Sequence, residues 1–337
     1  MWLDKYIKET GILTDYPCFN EEPEYVCKNM KTSDIFLAQH QGKEFNALDI
    51  VVKYLAIENY YNFNSYGFEL YHKMQMKRVG EDWRERFKAL IASVEEHGFN
   101  KSSWIKTDID YSIHDGAHRL ALAVYHNIDE VPVKVFNLQV QRRYYGVNWF
   151  KENDFTDYEI SLILAKYNEI VNRCRKPYYC ILWTPARDCF DDILDDINAY
   201  DESIRIADVK PYRFTPEELQ SFIYKLYATD DIAKYKLDLK YSHLLKSMEH
   251  GGWEDGLCQI LVLKVIIDYP DFRLKPLSAL PQSKVTMSLK RYIRDKYKSR
   301  VHDYYYDIIM HLTDNQIQND DVALILKKID SVNEGGI

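Results

Sequence analysis

The chain has 337 residues, of which 46% are hydrophobic and 28% charged, a composition that favours two packed domains over a disordered chain. Its formal net charge of -8 argues against a broad nucleic-acid or anionic-membrane surface, because such surfaces need Lys and Arg to neutralise phosphates. The longest apolar run, residues 257–267, is far shorter than the roughly 20 residues that span a bilayer. Without a visible secretory signal or a CxxC pair among its six cysteines, the sequence predicts a cytoplasmic protein with free thiols.

The N-terminal part of the chain divides at about residue 80. Before it, aromatic and amide residues alternate without a clean period, and we expect irregular structure. After it, hydrophobic spacing and turn residues predict several regular elements. These are, in order, a helix from Trp83 that ends at Gly98, a strand or hairpin at 104–113, a bend at Gly116, a helix with Leu120 on its apolar face and a strand at 131–136.

A connecting segment and a second series of elements follow. Thr156 and Glu159 are spaced as a capping box, in which each side chain binds the other residue's backbone N–H, and they predict a helix to about residue 171. The predicted strands beyond it lie at 178–183, 203–209, 257–267 and 306–310. The predicted helices lie at 190–197, from Thr215 onward, at 289–297 and at 321–329.

This order of elements favours an α+β architecture with two domains. Residues 1–145 form the first predicted domain, and residues 176–330 form the second, which alternates strands and helices. Residues 146–175 are predicted to be a linker and a connecting helix between the two domains.

Residues 113–120 (Ile-His-Asp-Gly-Ala-His-Arg-Leu) are the most informative stretch of the chain. Gly116 permits a bend or a close approach that a Cβ would block. Asp115 and His118 are able to exchange protons, and the guanidinium of Arg119 is able to fork onto an anionic oxygen. A turn of this composition that opens a helix predicts a phosphate site, with His114 as a further candidate. The alternative is an ordinary turn in which Asp115 caps the helix and the basic residues are solvated.

From about Phe87 to Phe136, the segment around this turn resembles the ParB/sulfiredoxin superfamily. The shared order is a helix, a strand pair, the turn at 115–119, a second helix and a Val-Pro-Val strand. Sulfiredoxins have a reactive cysteine where this chain has Ala117, and ParB partition proteins have a Glu-Arg-Arg turn followed by a helix-turn-helix. Free serine kinases of the same fold carry an Asp-Gly-x-His-Arg turn, which residues 115–119 match.

The resemblance to the free serine kinases implies a phosphotransferase that uses ATP or another nucleotide together with Mg²⁺. Asp115 and His118 would be its catalytic residues, and Gly116, Arg119 and His114 would bind nucleotide or phosphate. The acceptor would be a small polar or sugar-like molecule with a hydroxyl group.

Several alternatives stay open. A nucleotide-binding switch of the ParB type would use the same turn without phosphotransfer. A DNA-binding role is disfavoured by the acidic net charge and by the missing helix-turn-helix signature. His114 and His118 are spaced as a metal pair, but Gly116 between them disfavours the regular helix that such a pair needs, so the sequence assigns no metal ligands.

The second half of the chain resembles, in outline, the nucleoside diphosphate kinases, which have a ferredoxin-like βαββαβ fold. Their phospho-accepting histidine lies in a His-Gly-Ser-Asp run, which residues 311–314 (His-Leu-Thr-Asp) match in part. Their upstream Ile-Arg pair is similar to Ile293-Arg294. Leu312 replaces the glycine of that run, and Thr184-Pro185 stands where the family has Lys-Pro.

This second resemblance therefore predicts an anion site at His311, with Arg291 and Arg294 beside it. The alternative is a structural histidine at a strand end next to a solvated basic helix face. Elsewhere, the run Arg142-Arg143-Tyr144-Tyr145 combines positive charge with stacking surfaces, and it predicts at most a local contact with an anion or a ribose.

Overall fold

The fold consists of two units. The first ends at Cys174, and the second begins at Arg175. The structure is a computed structural model that describes residues 24–100, 102–137, 139, 144–228, 234–274 and 281–334. Both units combine helices with strands, so the mixed α/β composition predicted from the sequence is confirmed. No helix in the described part of the chain is both long and apolar enough to cross a bilayer.

A four-stranded sheet organises the first unit. Its strands are, in order across the sheet, β1 (Tyr25–Lys31), β6 (Glu130–Phe136), β4 (Ile105–Thr107) and β5 (Ile113–Asp115). Strand β6 is antiparallel to β1 and parallel to β4, while β4 and β5 are antiparallel. A separate short ladder joins β2 (His40–Gln41) to β3 (Glu44–Phe45).

The helices of the first unit are numbered in their order along the chain. Those in the described residues are α1 (Thr32–Leu37), α2 (Leu48–Tyr60), α3 (Gly67–Val79), α4 (Arg84–His97), α5 (Ala117–Tyr125), α6 (Val147–Glu152) and α7 (Asp157–Cys174). Helix α4, the β4–β5 hairpin, helix α5 and strand β6 confirm the elements predicted after residue 83.

Helix α7 begins at the predicted capping box. The Thr156 N–H donates to Glu159 Oε2 at 2.7 Å, and the Glu159 N–H donates to Thr156 Oγ1 at 3.2 Å. The helix packs on α1 and α2. It is therefore part of the first unit and not a free linker.

The prediction of irregular structure before residue 80 is wrong. Helices α2 and α3 occupy 13 residues each in that region. Residues 48–57 of α2 are all buried, and a helix that is buried on every side has no polar face from which a helical period could be recognised.

An antiparallel four-stranded sheet organises the second unit. Its strands are, in order, β12 (Met310–Leu312), β7 (Tyr178–Leu182), β9 (Cys258–Ile267) and β8 (Ile204–Phe214). Helix α8 (Phe190–Tyr200) connects β7 to β8, and β9 lies between these two strands. Helix α11 (Lys284–Tyr297) precedes β12, and β7 lies between β9 and β12.

The other elements of the second unit are inserted between or follow these strands. They are α9 (Pro216–Leu226), α10 (Lys234–Met248), the ladder of β10 (Phe272–Leu274) and β11 (Pro281–Ser283), and α12 (Gln316–Glu334). The predicted strand at 306–310 is misplaced, because Tyr306 and Asp307 have φ angles of +51° and +55°, which no strand contains. The strand is β12, and His311 lies at its centre.

The bend at Gly116 gives a test of the fold. Its φ is +101°, and a Cβ there would lie 3.1 Å from Ile105 Cα. We expect Gly116→Ala to lower the free energy of unfolding by about 2–3 kcal/mol, from left-handed strain together with crowding against β4. Gly80→Ala is the matched control, because Gly80 has φ +73° but nothing within 4 Å of the added carbon. Urea denaturation measures both, and equal losses would contradict the role of the Ile105 contact.

Candidate functional site

The predicted turn is present, but its side chains point to opposite sides of the backbone. Strand β5 ends at Asp115, and Gly116 leads directly into α5, whose first helical hydrogen bond runs from Leu120 N–H to Gly116 O at 2.8 Å. Successive side chains of a strand point to opposite faces, so His114 and Asp115 diverge. The pentapeptide therefore contributes to two neighbouring clusters.

Asp115 and Arg119 form the outer cluster. Arg119 Nη2 lies 3.2 Å from Asp115 Oδ2, and Arg119 Nη1 donates to Trp104 O at 2.5 Å. Lys106 Nζ is 3.9 Å from the same carboxylate oxygen, and the Asp115 side chain is 39% exposed. Asp115 is therefore a solvent-accessible carboxylate that two cations already neutralise, and Arg119 ties the helix to the hairpin.

His118 lies on the inner side, in an aromatic enclosure. Its Nε2 shares a hydrogen bond of 2.8 Å with the hydroxyl of Tyr71. The rings of Phe87, Tyr71 and Trp83 have centroids 4.7, 5.8 and 6.3 Å from the imidazole centroid. An imidazole in this setting is oriented by Tyr71 and shielded by rings on several sides.

The electrostatic environment of His118 is positive. Burial lowers the pKa of His118 well below its ordinary value, and the charges of nearby cations lower it further. These cations are Lys53, Arg78, Arg86 and Arg119. His118 is therefore neutral at neutral pH, and the potential around it favours an anion.

Two of these cations belong to a buried cluster that α2 and α3 contribute. Lys53 Nζ lies 2.6 Å from Asp49 Oδ2, and Arg78 Nη1 lies 3.4 Å from the same atom. Asp49 is 4% exposed and Lys53 is fully buried. One carboxylate thus faces two cations, and the cluster has a net charge of +1 when all three groups are ionised.

The pKa directions in this cluster follow from its geometry. Burial lowers the pKa of Lys53 to about 8, although Asp49 opposes the drop. Burial alone would raise the pKa of Asp49, but Lys53 and Arg78 together hold it below its ordinary value. The carboxylate therefore stays ionised, and Lys53 is the group whose charge is the easier to remove.

Tyr145 joins the cluster from the start of α6. The Arg78 guanidinium lies over its ring, 4.4 Å from the centroid, and Tyr145 N–H donates to Asn46 O at 2.9 Å. Arg78 Nε is buried and makes no hydrogen bond within the described residues, so one guanidinium donor is left over. Of the predicted Arg142–Tyr145 run, Arg142 and Arg143 lie outside the residues that the structure describes.

A small cavity lies between this cluster and the turn. Its volume is about 40 Å³, and its walls include Asp49, Tyr145, Ala117 and His114. His114 Nε2 is buried without a hydrogen-bond partner among the described residues, 3.8 Å from Asp108 Oδ2. The cavity has room for a group of a few heavy atoms, whereas a whole nucleotide needs several hundred Å³.

Sequence reasoning missed Asp49, Lys53 and Arg78, which lie in the region that it treated as irregular. A usable signal was present, since Asp49 and Lys53 are four residues apart inside an otherwise apolar run. His114 lies near Asp108, whereas His118 shares a hydrogen bond with Tyr71, and no group of three or more metal-binding side chains exists among the described residues.

In the second unit, His311 lies in β12 with 8% exposure, and its ring packs on Tyr227 with centroids 4.8 Å apart. Burial lowers the pKa of His311 well below its ordinary value, and Lys290, Lys240 and Arg294 lower it further. The predicted partner Arg291 is exposed on α11 and is not among these cations.

The cations near His311 already have structural partners. Lys290 donates to Leu312 O at 3.2 Å and pairs with Asp314 at 2.7 Å. Arg294 donates to Met310 O at 3.0 Å and pairs with Asp307 at 3.1 Å. Both side chains thus cover carbonyls on the outer edge of the edge strand β12, an arrangement that blocks further strand pairing and explains them as structural residues.

Comparison of the chain with known protein families, with characterised proteins and with solved structures finds no match. The function of the site has to be inferred from its own contacts.

The buried Asp49 carboxylate gives a first test. Asp49→Asn leaves Lys53 and Arg78 without a counter-charge, and we expect a loss of about 3 kcal/mol in the free energy of unfolding. Added inorganic phosphate should restore part of that loss, because an anion would replace the missing charge. The control is Asp82→Asn, which removes an exposed carboxylate paired with Arg84 and should have a much smaller effect. Urea denaturation with and without phosphate measures both, and a variant as stable as the wild type would contradict the cluster.

Neutral, buried His311 predicts a pH dependence. Its folded pKa lies below the unfolded value of about 6.5, so below that pH the unfolded state binds more protons and stability falls as pH falls. The loss should approach about 1.4 kcal/mol per pH unit between pH 6.5 and the folded pKa. His311→Asn should remove this contribution from the slope and leave that of His118, whereas replacement of the exposed His97 by Asn should keep the wild-type slope. Unfolding free energies from pH 5 to 8 measure the slopes, and parallel curves for all three proteins would contradict the assignment.

Proposed function

We propose that the protein is a phosphotransferase that uses ATP or another nucleotide with Mg²⁺, and that its phosphate site lies at the turn of residues 114–119. The observation that carries the proposal is the group of cations beside this turn, four of which lower the pKa of His118. Two of them, Lys53 and Arg78, share a single carboxylate and so leave an unbalanced positive charge.

The contacts support a division of roles. The first N–H groups of α5 lack helical partners, and together with Arg78 and Lys53 they would hold the transferred phosphoryl group. The cavity is too small for a nucleoside, which would lie outside it. Tyr71 would keep His118 neutral and oriented, as a hydrogen-bonding group beside the phosphate.

Asp115 is the group that would receive the acceptor's proton. A phosphate oxygen bound to Arg119 would compete with its 3.2 Å contact to Asp115 and free the carboxylate. The acceptor hydroxyl oxygen would then bond to phosphorus, its proton would pass to Asp115, and the bond from phosphorus to the nucleotide oxygen would break. When bound, Mg²⁺ would neutralise charge on the phosphates; in the alternative to its role as base, Asp115 would be the single carboxylate that holds this ion, which commonly keeps phosphate and water ligands.

A second candidate function is nucleotide binding at the same site without phosphate transfer. The neutralisation of Asp115 by Arg119 and Lys106 favours a nucleotide-binding switch, because a carboxylate held by two cations is a poor base. Product formation separates this candidate from the phosphotransferase.

For the architecture, we propose a ParB/sulfiredoxin-like first unit and a ferredoxin-like second unit. The first is supported by the sequence of helix α4, hairpin β4–β5, the turn, helix α5 and strand β6. The second is supported by the βαββαβ order of β7, α8, β8, β9, α11 and β12, in which each helix-linked strand pair is split by a third strand. Helices α9 and α10 would be an insertion into that motif.

A thermal-shift series with ATP, ADP, CTP and GTP in the presence of Mg²⁺ tests the proposal. A nucleotide at 100 times its dissociation constant should stabilise the protein by about 2.7 kcal/mol. Lys53→Met should abolish the shift while keeping the Asp49–Arg78 pair, and Lys88→Met, which removes an exposed lysine paired with Glu85, should keep it. A wild-type protein that no nucleotide stabilises would contradict both candidates.

Asp115→Asn then separates the two candidates. For a phosphotransferase, this variant keeps the nucleotide shift and loses phosphate transfer to a hydroxyl acceptor, whereas Asp129→Asn, which removes an exposed ion-paired carboxylate, keeps both. Nucleotide binding without transfer in the wild type would favour the switch.

A further inference from the structure

A second groove, lined mainly by aromatic side chains, lies at the C-terminal end of α5. It is a groove of about 500 Å³ whose walls include Tyr61, Phe63, Phe99, Tyr125 and His126. This volume is within the range of small-molecule sites. Tyr125 follows His118 by seven residues on α5, a rise of about 10 Å at 1.5 Å per residue, so the groove is distinct from the phosphate site.

The rings form a corner. Tyr61 and Tyr125 lie parallel, with an interplanar angle of 7° and centroids 5.5 Å apart. The His126 ring is nearly perpendicular to both, at 88° to Tyr61 and 85° to Tyr125. Phe63 is 75% exposed, so its ring is accessible from solvent at the wall of the groove.

The charge of the groove is negative. Glu95 is the one ionised side chain among the described residues that line it. Burial raises the pKa of Tyr61, and Glu95 raises it further, so the carboxylate acts on the ring corner. Burial lowers the pKa of His126 despite the opposing effect of Glu95, which keeps the imidazole neutral at neutral pH and leaves the negative charge unbalanced.

We propose that this groove binds a small organic cation whose ammonium group carries methyl substituents, held between the aromatic rings and Glu95. Aromatic faces attract such cations through their quadrupoles, and methyl groups suit the apolar walls. His126 Nε2, which is buried without a hydrogen-bond partner in the described structure, is a partner for a hydroxyl group on the ligand. A neutral ligand of the same shape would leave Glu95 unpaired. This inference does not depend on the proposed phosphotransferase activity.

The experiment compares choline with 3,3-dimethylbutan-1-ol, its uncharged carbon isostere, by calorimetric titration and ligand-observed NMR of the full chain. We expect choline to bind with a dissociation constant of about 1 mM and the isostere at least about tenfold more weakly. Phe63→Ala and Glu95→Gln should each weaken choline binding by about fivefold or more.

Matched substitutions keep the test specific. Tyr158→Ala removes another exposed ring, since Tyr158 is 71% exposed, and Glu96→Gln removes the neighbouring carboxylate that does not line the groove. Both should bind choline as the wild type does. Equal affinity for choline and its isostere, no binding of choline, or full choline affinity in Glu95→Gln would each overturn the proposal.

Discussion

The ion cluster of Asp49, Lys53 and Arg78 is the contact on which the first unit depends. Burying a carboxylate and two cations is unfavourable unless each charge has a close partner, and here one carboxylate oxygen serves both cations. The cluster joins α2 to α3, and Tyr145 closes it through its ring and its backbone. An arrangement of α2 and α3 that separated these three charges would leave at least one of them buried without a partner.

The same residue types have a different role in the second unit. Lys290 and Arg294 stand one helical turn apart near a buried histidine, and Lys290 Nζ and the two Nη atoms of Arg294 contact carbonyls of β12 and the carboxylates of Asp314 and Asp307. Arg78 and Arg294 each leave a buried Nε without a hydrogen-bond partner among the described residues, and the first unit adds the unpaired Nε2 of His114 in the wall of a cavity. The cluster in the first unit is therefore a candidate for ligand binding because an unpaired group, His114 Nε2, lines the cavity beside it.

The sequence predicted those parts of the fold in which local chemistry decides the structure. Thr156 and Glu159 fixed the start of α7, Gly98 the end of α4, and Gly116 the bend before α5. It failed at α2, which is buried on every side and so lacks an amphipathic period, and at Tyr306 and Asp307, whose left-handed backbone is set by tertiary contacts such as the Lys240 hydrogen bonds to their carbonyls.

The candidate site was predictable only in part for the same reason. The turn at 115–119 is local, and residue types alone identify it. Its electrostatic environment comes from Lys53 and Arg78, which are distant in sequence and reach the turn only through the packing of α2 and α3. The i,i+4 spacing of Asp115 and Arg119 could have indicated their ion pair, but no local pattern reports that His118 is neutral.

Helix α5 has a proposed anion site at its first turn and a proposed cation site at its last. The aligned peptide dipoles of a helix place partial positive charge at its N-terminus and partial negative charge at its C-terminus. Each ligand would thus meet the end of α5 whose sign it complements. Both would be bound to one helix of nine residues, and if binding of one ligand changes the affinity for the other, the second must change the affinity for the first by the same factor.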